Sequence, residues 1–266
     1  MSRIVVKIGS NVLARKDGKP NITNMSTLVD QVAYLKNNGH EIVMVSSGAV
    51  ACGRGAVTPL KDLDSVASRQ LFSAIGQVRL MNLYSQFFSN YGMVAAQILT
   101  QKDNFSSEEA YLNQKSCMLT MLENDVIPIV NENDTVSLTE LMFTDNDELS
   151  GSIAAMINAD MLVILSNVDG IFTGDPEDPA SKLIPEIAYD ESADQYLVES
   201  KSDFGRGGMS SKSHIASKVA SEGIAVIIAK GDRPRVLIDL IENPQNVPHT
   251  LFRPSQNSNK EKKAYE

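Results

Sequence analysis

Several short segments of this chain hold residues whose types and spacing could act on a phosphate group or a small zwitterion. Lys7-Ile8-Gly9-Ser10-Asn11 sets a cation beside a glycine turn, where charge and close backbone N–H groups suit a phosphate. Taken alone, this pentapeptide is better read as a strand-to-loop turn with a solvated lysine. Ser46-Ser47-Gly48-Ala49-Val50, followed by Ala51-Cys52-Gly53-Arg54-Gly55, is built of small residues. A helix starting after Ser47 aims free N–H groups at an anion, although a helix cap with a glycine-rich bend explains it equally well. Asn131-Glu132-Asn133-Asp134 and Asp145-Asn146-Asp147-Glu148 mix carboxylates with amides. Carboxylates take an ammonium and amides donate to a carboxylate, the pairing that an amino acid requires. The plainer reading of these clusters is a set of turns and an N-cap for a helix beginning near Asp147.

Two later segments add phosphate chemistry. Ser166-Asn167-Val168-Asp169-Gly170-Ile171-Phe172-Thr173 follows an apolar run, and Gly205-Arg206-Gly207-Gly208-Met209-Ser210-Ser211-Lys212 precedes a helical pattern. A glycine loop feeding a helix N-terminus that carries a lysine is a phosphate cradle. It is not a Walker A loop, because no G-x-x-x-x-G-K-[ST] occurs in the chain. Asp203-Phe204-Gly205 lacks the other protein-kinase signatures and is coincidental.

These residues need elements to position them. RIVVKI (3–8), EIVMVS (41–46), MVAAQIL (93–99), VIPIV (126–130), MLVILS (161–166) and IAVIIA (224–229) read as strands buried on both faces. Helical spacing runs through Thr23–Asn37, Val66–Phe88, Glu108–Glu123, Leu149–Asn158 and Ser210–Glu222. Strand alternating with helix implies a mostly parallel sheet covered on both faces, with ligands at the carboxyl ends of the strands. Thr135–Thr144 alternates and suggests a β-hairpin over the sheet edge. Asp169–Lys182 is dense in turn residues and reads as an exposed irregular loop. The expected division is one domain over residues 1–255 and a polar tail over 256–266.

Composition narrows the partners. The chain has 266 residues, 42% hydrophobic and 21% charged, ordinary for a globular protein. A net charge of −9 argues against nucleic acid and anionic membranes as main partners. Two cysteines, Cys52 and Cys117, cannot staple a fold of this size and favour a reducing compartment. The N-terminus shows no signal peptide, and the apolar runs are too short to span a bilayer. A cytoplasmic protein is expected.

Taken together and in order, VVKIGSNVL (5–13), VSSGAVACGR (45–54), VNENDTV (130–136), FTDNDELSG (143–151), SNVDGIFTGDP (166–176) and GRGGMSSK (205–212) resemble the amino-acid-kinase superfamily, in its glutamate-phosphorylating branch. The resemblance covers essentially the whole chain. It implies an α/β fold: a three-layer αβα sandwich around an open, mostly parallel sheet of about eight strands. It implies transfer of phosphate from ATP to L-glutamate, giving glutamyl 5-phosphate, the first step of proline synthesis. Lys7, Lys212 and Asp147 would be catalytic. The lysines would neutralise the transferring phosphoryl group and Asp147 would hold them. Ser47, Gly48, Asp134, Asn146 and Asn131 would bind glutamate. Lys7, Gly9, Ser166, Asn167 and Arg206-Gly207-Gly208-Met209-Ser210-Ser211-Lys212 would line the nucleotide. Mg²⁺ would ride on the ATP phosphates with few or no protein ligands. Proline is the expected feedback inhibitor, and a homodimer or homotetramer the expected assembly. Two positions depart from the family pattern: Ser166-Asn167 stands where Thr-Asp is more common, and Arg206 where a small or hydroxylated residue is usual. Many relatives carry an appended PUA domain, which is expected to be absent because the chain ends at Glu266.

A glutamate side chain is already ionised at neutral pH, with a pKa near 4.3. No general base is needed, and His40, His214 and His249 are expected to be structural. Lys7 and Lys212 are expected in a solvated cleft. The rival enzymes are aspartate, acetylglutamate and UMP kinases; aspartate kinases usually begin K-F-G-G-T, unlike Lys7-Ile8-Gly9-Ser10. A non-catalytic nucleotide or amino-acid sensor on the same fold is the rival of a different class.

Overall fold

Short β-branched runs become interior strands when both faces can be covered with helices. The computed structural model describes residues 1–136, 145–191 and 209–255. Among them one sheet contains β1 (Arg3–Ile8), β2 (Glu41–Ser46), β3 (Ala95–Thr100), β4 (Ile127–Glu132), β5 (Met161–Ser166), β6 (Glu186–Ile187), β7 (Ala225–Lys230) and β8 (His249–Phe252). Their spatial order is β3-β4-β2-β1-β5-β7-β8-β6. The strands from β3 to β7 in that order pair in parallel; β8 runs antiparallel to β7, and β6 pairs in parallel with β8.

The helices are α1 (Ser10–Leu13), α2 (Ile22–Asn37), α3 (Ala49–Arg54), α4 (Ser65–Ser89), α5 (Glu108–Glu123), α6 (Asn146–Met156), α7 (Met209–Ser221) and α8 (Val236–Glu242). Alternation along the strands divides the core into two layers. Ile4, Val6 and Ile8 of β1 join a cluster containing Leu28 of α2 and Leu80 and Tyr84 of α4. Val5 lies in the other cluster, with Ile153 of α6 and Val219 of α7. The result is the expected αβα sandwich. It also sets the direction of Lys7, which follows Val5 in the alternation and so faces α6 and α7.

The strands expected at 3–8, 41–46 and 161–166 are present with those bounds, and β3, β4 and β7 lie one or two residues further along. The shift in β4 matters, because it carries Asn131 and Glu132 onto the strand end. α6 starts at Asn146, three residues earlier than its apolar pattern, because the Asp145 carboxylate accepts from the N–H groups of Asp147 and Glu148 at 2.9 and 3.1 Å. The expected hairpin over Thr135–Thr144 lies mostly outside the described residues, as does the 256–266 tail. Asp169–Lys182 is a turn-rich connection with a single bridge from Phe172 to Leu183. The short α8, β6 and β8 were not foreseen.

Helices α3 and α4 touch backbone to backbone. A Cβ on Gly53 would stand 1.9 Å from the Phe72 carbonyl oxygen, and one on Gly76 would stand 1.7 Å from that of Ala49. Only glycine permits this approach, which draws the polar side of α4 up to the strand ends.

Candidate active site

The carboxyl ends of β1, β2 and β4 open into a cavity of about 970 Å³. Ser47, Gly48, Asn131, Asp134, Asn146 and Asn167 all line it. Gly48 turns the chain from β2 into α3 at φ +104°, a left-handed conformation suited to glycine. Gly9 closes the turn after β1, its N–H donating to the Leu165 carbonyl at 3.2 Å. None of the three histidines lines the cavity. His214 is exposed on α7, and His249 pairs with the Val247 carbonyl at 2.7 Å.

Next to the cavity-lining Asn146, Asp147 bridges two lysines. Its Oδ1 lies 2.5 Å from Lys7 Nζ and its Oδ2 lies 3.1 Å from Lys212 Nζ. Three segments distant in sequence thus meet: the end of β1, the first turn of α6 and the first turn of α7. Burial pushes the Asp147 carboxyl up, but the charges and hydrogen bonds of Lys7 and Lys212 outweigh it. The group is held below the ordinary carboxylate value. This cluster is not in a solvated cleft as expected: the side chains are 6%, 1% and 12% exposed for Lys7, Asp147 and Lys212. The sheet and two helices close over it, and none of the three side chains lines the cavity itself, although Asp145 and Asn146, next to Asp147 in the chain, do.

Asp145 ties the two helix ends together. Besides capping α6, its Oδ2 accepts from Ser211 Oγ of α7 at 2.8 Å. Two helix N-termini and their partial positive charge are thereby held side by side, with the Asp145 carboxylate occupying the N–H groups of Asp147 and Glu148. Met209 and Ser210 begin α7. Ser166 is buried at the end of β5 and donates to Asn167 Oδ1 at 3.3 Å, so Asn167, rather than Ser166, reaches the cavity. Arg206, Gly207 and Gly208 lie outside the described residues. Among the described residues, no group of three or more His, Cys, Asp or Glu side chains is placed to hold a metal.

An amide chain crosses the other side of the cavity. Asn146 Nδ2 donates to Ser47 Oγ at 2.9 Å and to Asn131 Oδ1 at 3.1 Å, and Asn131 Nδ2 donates to Gln77 Oε1 at 3.0 Å. Arg69 of α4 forms ion pairs with Asp134 and, at 3.3 Å, with Glu132, so the Asp134 carboxylate already has a cation beside it. Arg69 and Gln77 were missed in the sequence because α4 was read only for its apolar period. Arg69, Ser73 and Gln77 recur every four residues, a polar line on one helix face, and that spacing was the available signal.

Comparison with known proteins places the chain in a class. The model of the amino acid kinase family matches residues 2–230, and the chain belongs to that family. Among its relatives are the glutamate 5-kinases of Bacteroides thetaiotaomicron, Chlorobaculum tepidum and Photorhabdus laumondii. They are 58%, 45% and 39% identical to it over 96%, 88% and 96% of this chain. The chain spans 71%, 65% and 70% of their respective lengths. Two solved structures share the fold: carbamate kinase from Giardia lamblia bound to AMP-PNP, and UMP kinase from Ureaplasma parvum. Their TM-scores are 0.67 and 0.65 at 18% and 17% identity. They cover 96% and 95% of this chain, and the matches span 99% and 98% of their own chains. Among the described residues, no helix is long and apolar enough to cross a membrane.

Proposed function

We propose that the chain transfers the γ-phosphoryl group of ATP to the side-chain carboxylate of L-glutamate, forming glutamyl 5-phosphate for proline synthesis in the cytoplasm. The observation that carries this reading is the Lys7–Asp147–Lys212 cluster beside a cavity lined by amides, a hydroxyl and a carboxylate. The relatives' activity and the family membership support it. Residues 1–255 act as one catalytic domain.

The nucleophile arrives ionised, so the protein has no proton to remove. Its task is to bring two anions together and stabilise charge on the transferring group. Lys7 and Lys212 contribute two positive charges against one on Asp147, leaving the cluster net positive where the phosphoryl group passes. Asp147 orients both ammonium groups and is not itself a base, since it is held ionised and occupied on both oxygens. The helix dipoles of α6 and α7 add partial positive charge at the same region. Asn167 and the start of α7 line the nucleotide side. Mg²⁺ enters as the MgATP substrate complex and supplies further charge neutralisation. The nearby Asp145 and Asp147 are already engaged by a helix N-terminus and by lysines, a donor set that suits a metal carried by the nucleotide.

On the acceptor side, Ser47, Asn146, Asn131 and Asp134 hold the amino acid's charged groups. Proline has the same α-carboxylate and an amine beside it, and competes there. The working assembly is a homo-oligomer.

Lys212→Ala and Lys7→Ala test this reading. Each should lower kcat by about 10²-fold or more, with smaller effects on either KM. Because both lysines are buried against Asp147, each variant should also lose stability. A normal kcat in either variant removes that lysine from the mechanism.

A further inference from the structure

The backbone dictates how the Asn131 amide is turned. The N–H of Glu132 donates to Asn131 Oδ1 at 2.9 Å, and a peptide N–H can only donate. Oδ1 is therefore the acceptor and Nδ2 the donor, which reaches Gln77 Oε1 at 3.0 Å. The same logic passes outward. Asn146 must use Nδ2 toward Asn131 Oδ1, and its second amide proton goes to Ser47 Oγ. Both protons of Asn146 are then committed, and its Oδ1 is the atom left to accept from a ligand. Ser47 accepts on oxygen and keeps its own proton to donate. One face of the cavity thus offers an acceptor suited to an ammonium and a donor suited to a carboxylate.

Gln77 stands behind this arrangement on α4, 9% exposed. Its Nε2 continues the chain to Gln97 Oε1 on β3 at 3.2 Å, an exposed residue on the edge strand. Without an acceptor at position 77, the buried Asn131 Nδ2 loses its partner, a cost that favours rotation of the amide away from the Glu132 N–H. Asn146 would then lose the group that orients it.

We propose that Gln77 is a positioning residue for the acceptor amino acid: it fixes Asn131, and through it the oxygen of Asn146 offered to the substrate ammonium. This rests on reading the cavity as the amino-acid pocket.

The test compares Gln77→Met with Gln77→Glu in steady-state kinetics. Methionine keeps the volume but offers no adequate acceptor. Glutamate keeps the acceptor, and the exposed Gln97 can turn its own NH₂ inward to it. The expected result is a rise of about tenfold or more in the glutamate KM for Gln77→Met. The ATP KM and the kcat at saturating glutamate should stay within about threefold, and Gln77→Glu should keep the glutamate KM within about threefold of wild type. A packing role gives the opposite order, with methionine tolerated and the buried charge not. An unchanged glutamate KM in Gln77→Met, an equal loss for both substrates, or a Gln77→Glu enzyme as impaired as Gln77→Met overturns the proposal. If Gln77→Met does not fold, Gln77→Glu alone decides, because its glutamate KM must stay near wild type. A wild type that turns over a different acceptor sinks the glutamate reading, and the same ratios are then taken with that acceptor. A wild type with no acceptor at all overturns both.

Discussion

Replacing Gly76 by alanine puts a methyl group where the backbone of α3 already stands. Its Cβ would lie 1.7 Å from the Ala49 carbonyl oxygen and 2.5 Å from the Gly53 nitrogen. A carbon-to-carbonyl contact normally needs about 3.3 Å, so the two helices must part by roughly 1.5 Å. Helix α3 begins one residue after Gly48 and two after Ser47, and both line the cavity. The displacement therefore reaches the acceptor side of the site directly. A shift of about 1 Å in a reacting arrangement can cost about 10²-fold, and overpacking of this kind costs about 1–3 kcal/mol. Alanine's better helix propensity returns up to about 1 kcal/mol. The net expectation is a loss of about 1–2 kcal/mol in denaturant unfolding with a fall of about 10²-fold in kcat/KM for the amino acid. A Gly76→Ala enzyme within a few-fold of wild-type kcat/KM refutes the claim that this close approach positions Ser47.

Three further outcomes follow from other contacts. Arg69→Met leaves Glu132 and Asp134 near each other without their shared cation; it should destabilise by about 2 kcal/mol or more, and calorimetric unfolding indistinguishable from wild type would contradict this. Tyr84→Phe removes a 2.7 Å contact with Ser46 Oγ, but Ser46 keeps the Ser47 carbonyl at 2.9 Å. The cost should be about 1 kcal/mol with unchanged kinetics. For Asp147, whose folded pKa is lowered, the stabilisation is full above the ordinary carboxylate pKa and fades as pH falls through the folded value. The stability gap between wild type and Asp147→Asn should stay constant from pH 7 to about 4 and shrink below; a gap that widens on acidification would show the sign to be wrong.

The interior strands were legible because β-branched runs such as Ile4–Val6 and Leu162–Leu165 leave no polar face, and that pattern has one common structural use. β8 and β6 were not, since four residues and two residues carry no usable period. The short α8 follows Arg235, held at φ +58°, with no side-chain cap to announce it. Within the site, the types of Lys7, Asp147 and Lys212 were visible, but their convergence was not a local property. It depends on the strand alternation that points Lys7 at α6 and on Asp145 joining α6 to α7. Their burial was not legible for the same reason: it is set by the sheet and the two helices packed around them, not by the neighbouring residues in the chain. Arg69 and Gln77 were hidden inside a long helix whose apolar residues dominated the pattern.

Phosphoryl transfer to a carboxylate makes an acyl phosphate, which hydroxylamine traps as a hydroxamate. The most direct measurement is therefore ADP release from MgATP across glutamate, aspartate, N-acetylglutamate and UMP, with hydroxamate trapping for the three carboxylate acceptors. Hydroxamate from glutamate alone is the predicted result. ADP release with another acceptor, or ATP binding with no turnover of any of them, would contradict it.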